Sequence, residues 1–167
     1  IVDLGTGSGC IAITLKRKLS NSKVTAVDIS KEALEVALEN AKINNVDIEF
    51  KQGDMLKPLN KKYDLIISNP PYIAYDEPVM DIVKNNEPHV ALYADNDGLK
   101  YYEEILKDSS NYLKEKSLIA FEIGESQGEK VKEIAQTYFP NSIIKIEKDM
   151  QERNRFVFIF NNIKLES

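Results

Sequence analysis

The chain has 167 residues, 43% of them hydrophobic, and its 22 Lys and Arg are outnumbered by 27 Asp and Glu, for a net charge of −5. That length suits one domain with a respectable core, and the acidic balance argues against the basic face of a nucleic-acid enzyme and for a protein partner with a basic surface. No apolar run reaches bilayer-spanning length, no signal peptide is visible, one cysteine excludes an internal disulfide and no Cys/His cluster has metal-ligand spacing, all consistent with a cytoplasmic chain without a metal site.

Ile1 to Leu4 reads as the end of a buried strand that runs into Asp3-Leu4-Gly5-Thr6-Gly7-Ser8-Gly9. Ile11, Leu15 and Leu19 follow at helical spacing, so the glycines form a strand-to-helix turn where a ligand can approach the backbone. The turn departs from the dinucleotide fingerprint G-x-G-x-x-G, because Gly9 comes one place early and Cys10 stands where the third glycine belongs. Asp3 is a poor companion for a pyrophosphate. It is a good acceptor, directly or through water, for the ammonium of a cofactor that carries an amino acid. Tight packing by itself also explains such a turn. Cys10 reads as a small buried hydrophobe, and Lys16, Arg17 and Lys18 as a solvated helix face.

Lys23 to Asp28 is a short apolar strand ending in a carboxylate, and Ser30 is the expected N-cap of a helix carrying Leu34, Ala37, Leu38 and Ala41. Asp28 lies about twenty residues past the glycines, where a carboxylate grips a ribose diol. A third strand, Ile48 to Lys51, leads to Gly53-Asp54-Met55. There the Asp54 carboxylate is a candidate acceptor for the amino group of an adenine, with Met55 against the ring. An ordinary solvated turn explains Asp54 equally well.

The fourth strand, Tyr63 to Ser68, ends in Asn69-Pro70-Pro71-Tyr72, a trap for a planar nitrogen. The residue before a proline is held out of the helical region, which aims Asn69 outward. Neither proline has an N–H, so the Pro70 carbonyl keeps its lone pairs for a ligand. The Asn69 amide oxygen and the Pro70 carbonyl then converge on one NH2 group, and Tyr72 adds a flat face for stacking. Read alone, a Pro-Pro pair also fits a simple strand stop. The segment from Ile73 to Asn96 is longer than connections in compact domains, which favours a binding loop or lid. It holds Asp76, Glu77, Glu87 and His89, and the lone histidine reads as a solvated loop residue rather than a base.

A helix is expected from near Asp97-Gly98, with Leu99, Tyr102 and Leu106 on its core face. A fifth strand, Ser117 to Ile123, closes in Glu122-Ile123-Gly124, and the next helix presents Val131, Ile134, Ala135 and Tyr138. Ser142 to Glu147 and Arg155 to Phe160 have the pattern of a closing hairpin, and Asn161 to Ser167 is polar and expected to fray. Alternating strands and helices predict an α/β fold whose ligand site lies at the carboxyl edge of a parallel sheet.

With these residues in view the chain resembles the class I S-adenosylmethionine-dependent methyltransferases, and among them the PrmC/HemK family of glutamine methyltransferases that modify peptide chain release factors. The resemblance covers nearly the whole chain. It rests on D-L-G-T-G-S-G at 3 to 9, A-V-D-I-S at 26 to 30, Gly53-Asp54, S-N-P-P-Y-I at 68 to 73, Glu87-Pro88, Asp97-Gly98-Leu99, and Glu122-Ile123-Gly124 with Gln127-Gly128. It implies a Rossmann-like fold: a seven-stranded, mostly parallel sheet, helices on both faces and a C-terminal antiparallel strand. The catalytic domain would be residues 1–161 and a polar tail 162–167, with a small helical domain upstream that helps dock the protein partner.

The implied cofactor is S-adenosyl-L-methionine, leaving as S-adenosyl-L-homocysteine. The resemblance places Gly5, Thr6, Gly7, Ser8, Gly9, Asp28, Met55 and Asn69 against it, to which the reading above adds Asp3 and Asp54. Many relatives are aromatic at the Met55 position, so the adenine would be packed more softly here. Asn69, Pro70, Pro71 and Tyr72 would hold the substrate glutamine, with Asn69 and Pro70 catalytic. Glu87 would order the loop or receive the substrate backbone. The same tetrad is shared with adenine-N6 methyltransferases of DNA or RNA, which remain an alternative that would stack a flipped base on Tyr72. A nucleotide-binding module without chemistry, or a dinucleotide oxidoreductase, is a more distant one.

Overall fold

The structure, a computed structural model, describes residues 1–72, 95 and 97–165. Its strands are β1 (Val2–Leu4), β2 (Thr25–Asp28), β3 (Glu49–Gln52), β4 (Tyr63–Ser68), β5 (Leu113–Glu122), β6 (Ile143–Lys148) and β7 (Asn154–Asn161). The helices among the described residues are α1 (Cys10–Lys18), α2 (Lys31–Ile43), α3 (Lys100–Ser109) and α4 (Gly128–Tyr138). They build one seven-stranded sheet in the order β3-β2-β1-β4-β5-β7-β6. Pairing is parallel from β3 through β5, and β7 runs antiparallel to both β5 and β6. The Rossmann-like expectation, including the antiparallel end of the sheet, is met.

Strand alternation separates two cores. In β1, Val2 and Leu4 face one side and Asp3 the other, and the register carries this across to Val27 and Ala26 of β2. On one face Ala12 and Ile13 of α1 and Ala41 of α2 pack with Val24, Ala26 and Ile48. On the other, Tyr102, Ile105 and Leu106 of α3 and Val131 and Ala135 of α4 cover Ile66, Ile119, Phe121, Val157 and Ile159. Tyr102 meets Phe121 edge to face, with centroids 5.2 Å apart, and gives its hydroxyl hydrogen to the Glu122 carbonyl. The buried ring thereby satisfies its only polar atom.

Several local expectations are corrected. The core line of α1 runs through Ala12 and Ile13, while Leu19 is exposed and caps the helix end. The reason is that the Ala12 N–H donates to Asp3 in β1 (3.2 Å), pinning that side of the helix to the sheet. Cys10 is exposed rather than buried, because it begins the same helix on the side away from the sheet. Leu38 of α2 is likewise exposed, and Ala37 and Ala41 take the buried positions. β5 begins four residues earlier than expected, at Leu113. Its exposed Lys114, Glu115 and Lys116 hide the alternation, and a register shift opposite Tyr63 and Leu65 lets them join the ladder. Asn161 belongs to β7, paired with Ser117, rather than to a fraying end. Ser30 caps α2 as expected, its hydroxyl accepting from the Ala33 N–H at 3.1 Å.

Gly9 joins the glycine turn to this packing. Its φ is +82°, and an added Cβ would lie 3.1 Å from the Cβ of Ala37, so α1 and α2 meet through a position where a side chain would crowd α2. Gly9→Ala is expected to destabilise the protein by about 1–2 kcal/mol from the left-handed backbone alone, and the crowding of α2 adds to it. Chemical denaturation of the variant beside the parent measures this, and equal midpoints would refute it.

Candidate active site

The chain leaves β1 toward β2 and β3 on one side, while β4 and β5 lie on the other. Such a reversal opens a crevice at the carboxyl ends of the strands, and every site residue proposed from the sequence and described in the structure sits at the ends of β1 to β4 or in the loops that follow them.

The glycine turn is held from within. Thr6 N–H donates to the Val27 carbonyl (2.9 Å), Gly9 N–H to the Thr6 carbonyl (2.9 Å), and the Asn40 side chain of α2 to the Ser8 carbonyl (2.9 Å). Gly5 and Gly7 also have positive φ, and an added Cβ on either would meet nothing within 4 Å, so the turn borders open space. Asp3 lies beneath it, fully buried. Its Oδ2 accepts from the Thr6 hydroxyl (2.6 Å) and the Ala12 N–H (3.2 Å), whereas its buried Oδ1 has no hydrogen-bond partner. Burial pushes the Asp3 carboxyl up to about 6; the two hydrogen bonds oppose that rise and the nearby Asp28 charge adds to it.

Asp28 ends β2. Its Oδ2 accepts from the Gly7 N–H (2.8 Å) and its Oδ1 from the Ser30 N–H (2.9 Å). A carboxylate has about four lone-pair sites, so each oxygen keeps acceptor capacity after fixing the turn and the start of α2. Beside it Ile29 is 61% exposed, an apolar side chain at the ligand edge that the sequence reading passed over. Its signal was an isolated hydrophobe directly after the strand-ending acid. Gly53 N–H donates to the Asp28 carbonyl (2.9 Å), which brings the loop after β3 alongside. There Asp54 is engaged by Lys57 at 2.5 Å, and Met55, with φ +45°, packs against the edge of the core.

At the end of β4 the buried Ser68 hydroxyl donates to the Leu4 carbonyl (2.8 Å), stitching the start of the tetrad to the start of the glycine turn. Asn69 is exposed, Pro70 is buried, and Pro71 and Tyr72 are half-buried. Tyr72 packs on the core, and its carbonyl accepts from Gln127 Nε2 (2.8 Å). Sequence reading quoted Gln127 only as part of a motif and gave it no role. Glu122, which closes β5, has its carboxyl raised by burial, with the Arg155 charge opposing the rise. Glu87, with Asp76, Glu77 and His89, lies outside the described residues. Among the described residues there is no cluster of His, Cys, Asp and Glu fit to hold a metal, and no helix long and apolar enough to cross a membrane.

The chain is similar to known proteins in sequence and in fold. Over 161 residues the chain is 44% identical to a release factor glutamine methyltransferase of Streptococcus pneumoniae, covering 95% of this chain and 58% of that protein. The protein of the same name from Lactococcus lactis is also 44% identical, with 95% of this chain and 60% of the relative covered. The chain thus spans rather more than half the length of these curated relatives. Among solved structures, a methyltransferase from Pyrococcus furiosus superposes with a TM-score of 0.75 at 20% identity, over 97% of this chain and 74% of that one. A ribosomal protein L11 methylase from Lactobacillus delbrueckii gives a TM-score of 0.68 at 23% identity, over 95% and 67%. At such identities the structures speak for the fold, which is that of the class I methyltransferases. The methyltransferase small domain family matches residues 1–89, the stretch that holds the glycine turn, both acidic strand ends and the tetrad, and the chain belongs to that family.

Proposed function

We propose that this domain transfers a methyl group from S-adenosylmethionine to the side-chain amide nitrogen of a glutamine in a peptide chain release factor. The observation that carries this reading is the stitched pair of strand ends. An exposed Asn69, followed by a carbonyl on a proline, stands beside a glycine turn with open space along it. The names of the curated relatives support the substrate, and the acidic net charge of −5 suits a basic protein partner better than a nucleic acid.

The donor set fits an S-adenosylmethionine-type ligand. Asp3 offers a buried carboxylate oxygen without a partner, which a ligand ammonium would satisfy directly or through water. Asp28 keeps acceptor capacity for ribose hydroxyls, Ile29 and Met55 offer apolar surface for an adenine, and Gly5 and Gly7 leave the backbone approachable. Asp54 would take the adenine amino group in exchange with Lys57. When bound, S-adenosylmethionine supplies an electrophilic methyl group on a sulfonium.

The chain's own task is to prepare the acceptor. An amide nitrogen is a weak nucleophile because its lone pair is delocalised into its carbonyl. Asn69 Oδ1 and the Pro70 carbonyl would each accept one N–H of the substrate NH2, which fixes the direction of the lone pair and favours the more positive, more pyramidal nitrogen. This is catalysis by positioning and electrostatics. Proton loss can follow to solvent, and no tuned general base is required of the described residues.

Transfer of labelled methyl from S-adenosylmethionine to a release factor by the full-length enzyme tests the reading, and labelling of DNA or RNA instead would overturn it. Asn69→Ala should lower kcat on the order of 100-fold or more, while S-adenosylhomocysteine affinity stays within about tenfold. Equal loss of both would make Asn69 chiefly a cofactor contact. Asp28→Ala should instead act first on S-adenosylhomocysteine binding measured by calorimetry, and unchanged affinity would remove Asp28 from the ribose role.

The Asp3 carboxyl predicts a pH signature. Its folded value of about 6 lies above the 3.8 of an exposed Asp, so the ligand-free fold holds a proton there that the unfolded chain releases. The contribution of this group to stability is therefore fully present below pH 3.8 and is lost as pH rises through about 6. A ligand ammonium favours the charged carboxylate, so binding of S-adenosylhomocysteine near pH 6 should expel part of a proton. Calorimetry in buffers of different ionisation enthalpy reads that release. It should vanish in Asp3→Asn, and its absence from the parent would separate Asp3 from the ammonium.

A further inference from the structure

We propose that Gln127 is a positioning residue of the acceptor tetrad, its side-chain amide fixing Tyr72 so that Asn69 and the Pro70 carbonyl are presented together. The inference rests on the reading of the tetrad as the acceptor site. Gln127 immediately precedes α4 and is only 7% exposed. Its backbone is anchored on both sides, with its N–H donating to the Gly124 carbonyl (3.0 Å) and its own carbonyl accepting from Val131 (2.9 Å). A side chain rooted this firmly has little freedom left.

What that side chain does is join three segments. Oε1 accepts from the Gly124 N–H (3.0 Å) in the turn after β5. Nε2 donates to the Tyr72 carbonyl (2.8 Å) at the end of the tetrad and to the Asp97 carbonyl (3.2 Å) in the approach to α3. A primary amide has two N–H donors, and both are spent on backbone carbonyls. The Tyr72 carbonyl is thus held by Gln127 at the end of the tetrad opposite Asn69.

Gly98 is an independent sign that this junction is built to close tolerance. It has φ +78°, and an added Cβ would stand 2.0 Å from the Tyr72 carbonyl oxygen and 2.6 Å from Gln127 Nε2. No side chain fits between the approach to α3 and the tetrad. Ser68 pins the tetrad at its beginning and Gln127 at its end. Hydrogen bonds at both ends of a proline pair, whose own φ angles are fixed, leave the intervening carbonyls little room to turn. A one-ångström error at such a site is worth a large factor in rate.

The competing role for Gln127 is a plain staple of the Gly124 turn, and substitution separates the two. In the full-length enzyme, Gln127→Glu keeps an acceptor for Gly124 but removes the donors to Tyr72 and Asp97. It should melt within a few degrees of the parent and bind S-adenosylhomocysteine within about threefold, while kcat for methylation of a release factor falls about 30-fold or more at a KM that changes little. Gly98→Ala should lower kcat in the same direction by displacing the Tyr72 carbonyl, with a loss of stability from its left-handed backbone and the clash. An unchanged kcat in Gln127→Glu, or a kcat loss matched by equal losses of stability and S-adenosylhomocysteine affinity, would overturn the inference. A parent enzyme that labels no release factor would refute the functional reading instead. The side-chain NH2 resonances of Asn69 then decide the positioning role: they should shift and broaden in Gln127→Glu while the Gly7 amide stays in place, and unmoved Asn69 resonances would overturn it.

Discussion

The Ser68 hydroxyl on the Leu4 carbonyl is the bond on which the site's geometry turns. β1 and β4 are parallel neighbours, yet the loops that leave them diverge, one into α1 and the other into Asn69-Pro70-Pro71-Tyr72. A serine at the final ladder position of β4 gives the last carbonyl of β1 a side-chain donor. That hydrogen bond holds the start of the tetrad beside the start of the glycine turn.

The two acids beside the glycine turn are used in opposite ways. Asp28 spends part of its capacity on the amides of Gly7 and Ser30, so the charge at the end of β2 is compensated by backbone dipoles and also orders the turn. Asp3 is buried deeper, and one of its oxygens is left unsatisfied. Burying an unpaired carboxylate is costly, which is why its proton is held to about 6. The proposed ammonium contact rests on this oxygen and on its place beneath an open glycine turn.

The far side of the crevice is organised by amides rather than charges. Gln127 reaches from the start of α4 to the end of the tetrad, and Gly98 brings the approach to α3 into backbone contact with the same carbonyl. Loops after β4 and β5 and before α3 are thus tied to one another through neutral hydrogen bonds, which hold direction without raising the local charge. On the proposed reading, in which an acceptor nitrogen becomes positive, acceptors held in place favour the reaction and a cation nearby would oppose it.

Much of this was legible in the residues. Short apolar runs for the strands, the N-cap at Ser30, the helical spacing of Leu99, Tyr102 and Leu106, and the acid closing β2 each report a local physical requirement, and those elements stand where expected. Other features belong to the packed molecule. That Ala12 and Ile13 rather than Leu15 and Leu19 face the sheet follows from Asp3 gripping the first turn of α1, and the early start of β5 follows from a register shift against β4. The orphaned oxygen of Asp3 and the three-way bond of Gln127 join residues as far apart as 72 and 127, and no periodicity reports which lone pair a distant donor will reach. Composition and spacing determined the kind of sheet and which polar residues stand at its edge, whereas only tertiary packing decided which polar atoms there are already satisfied, because satisfaction depends on distances between segments that the chain order leaves open.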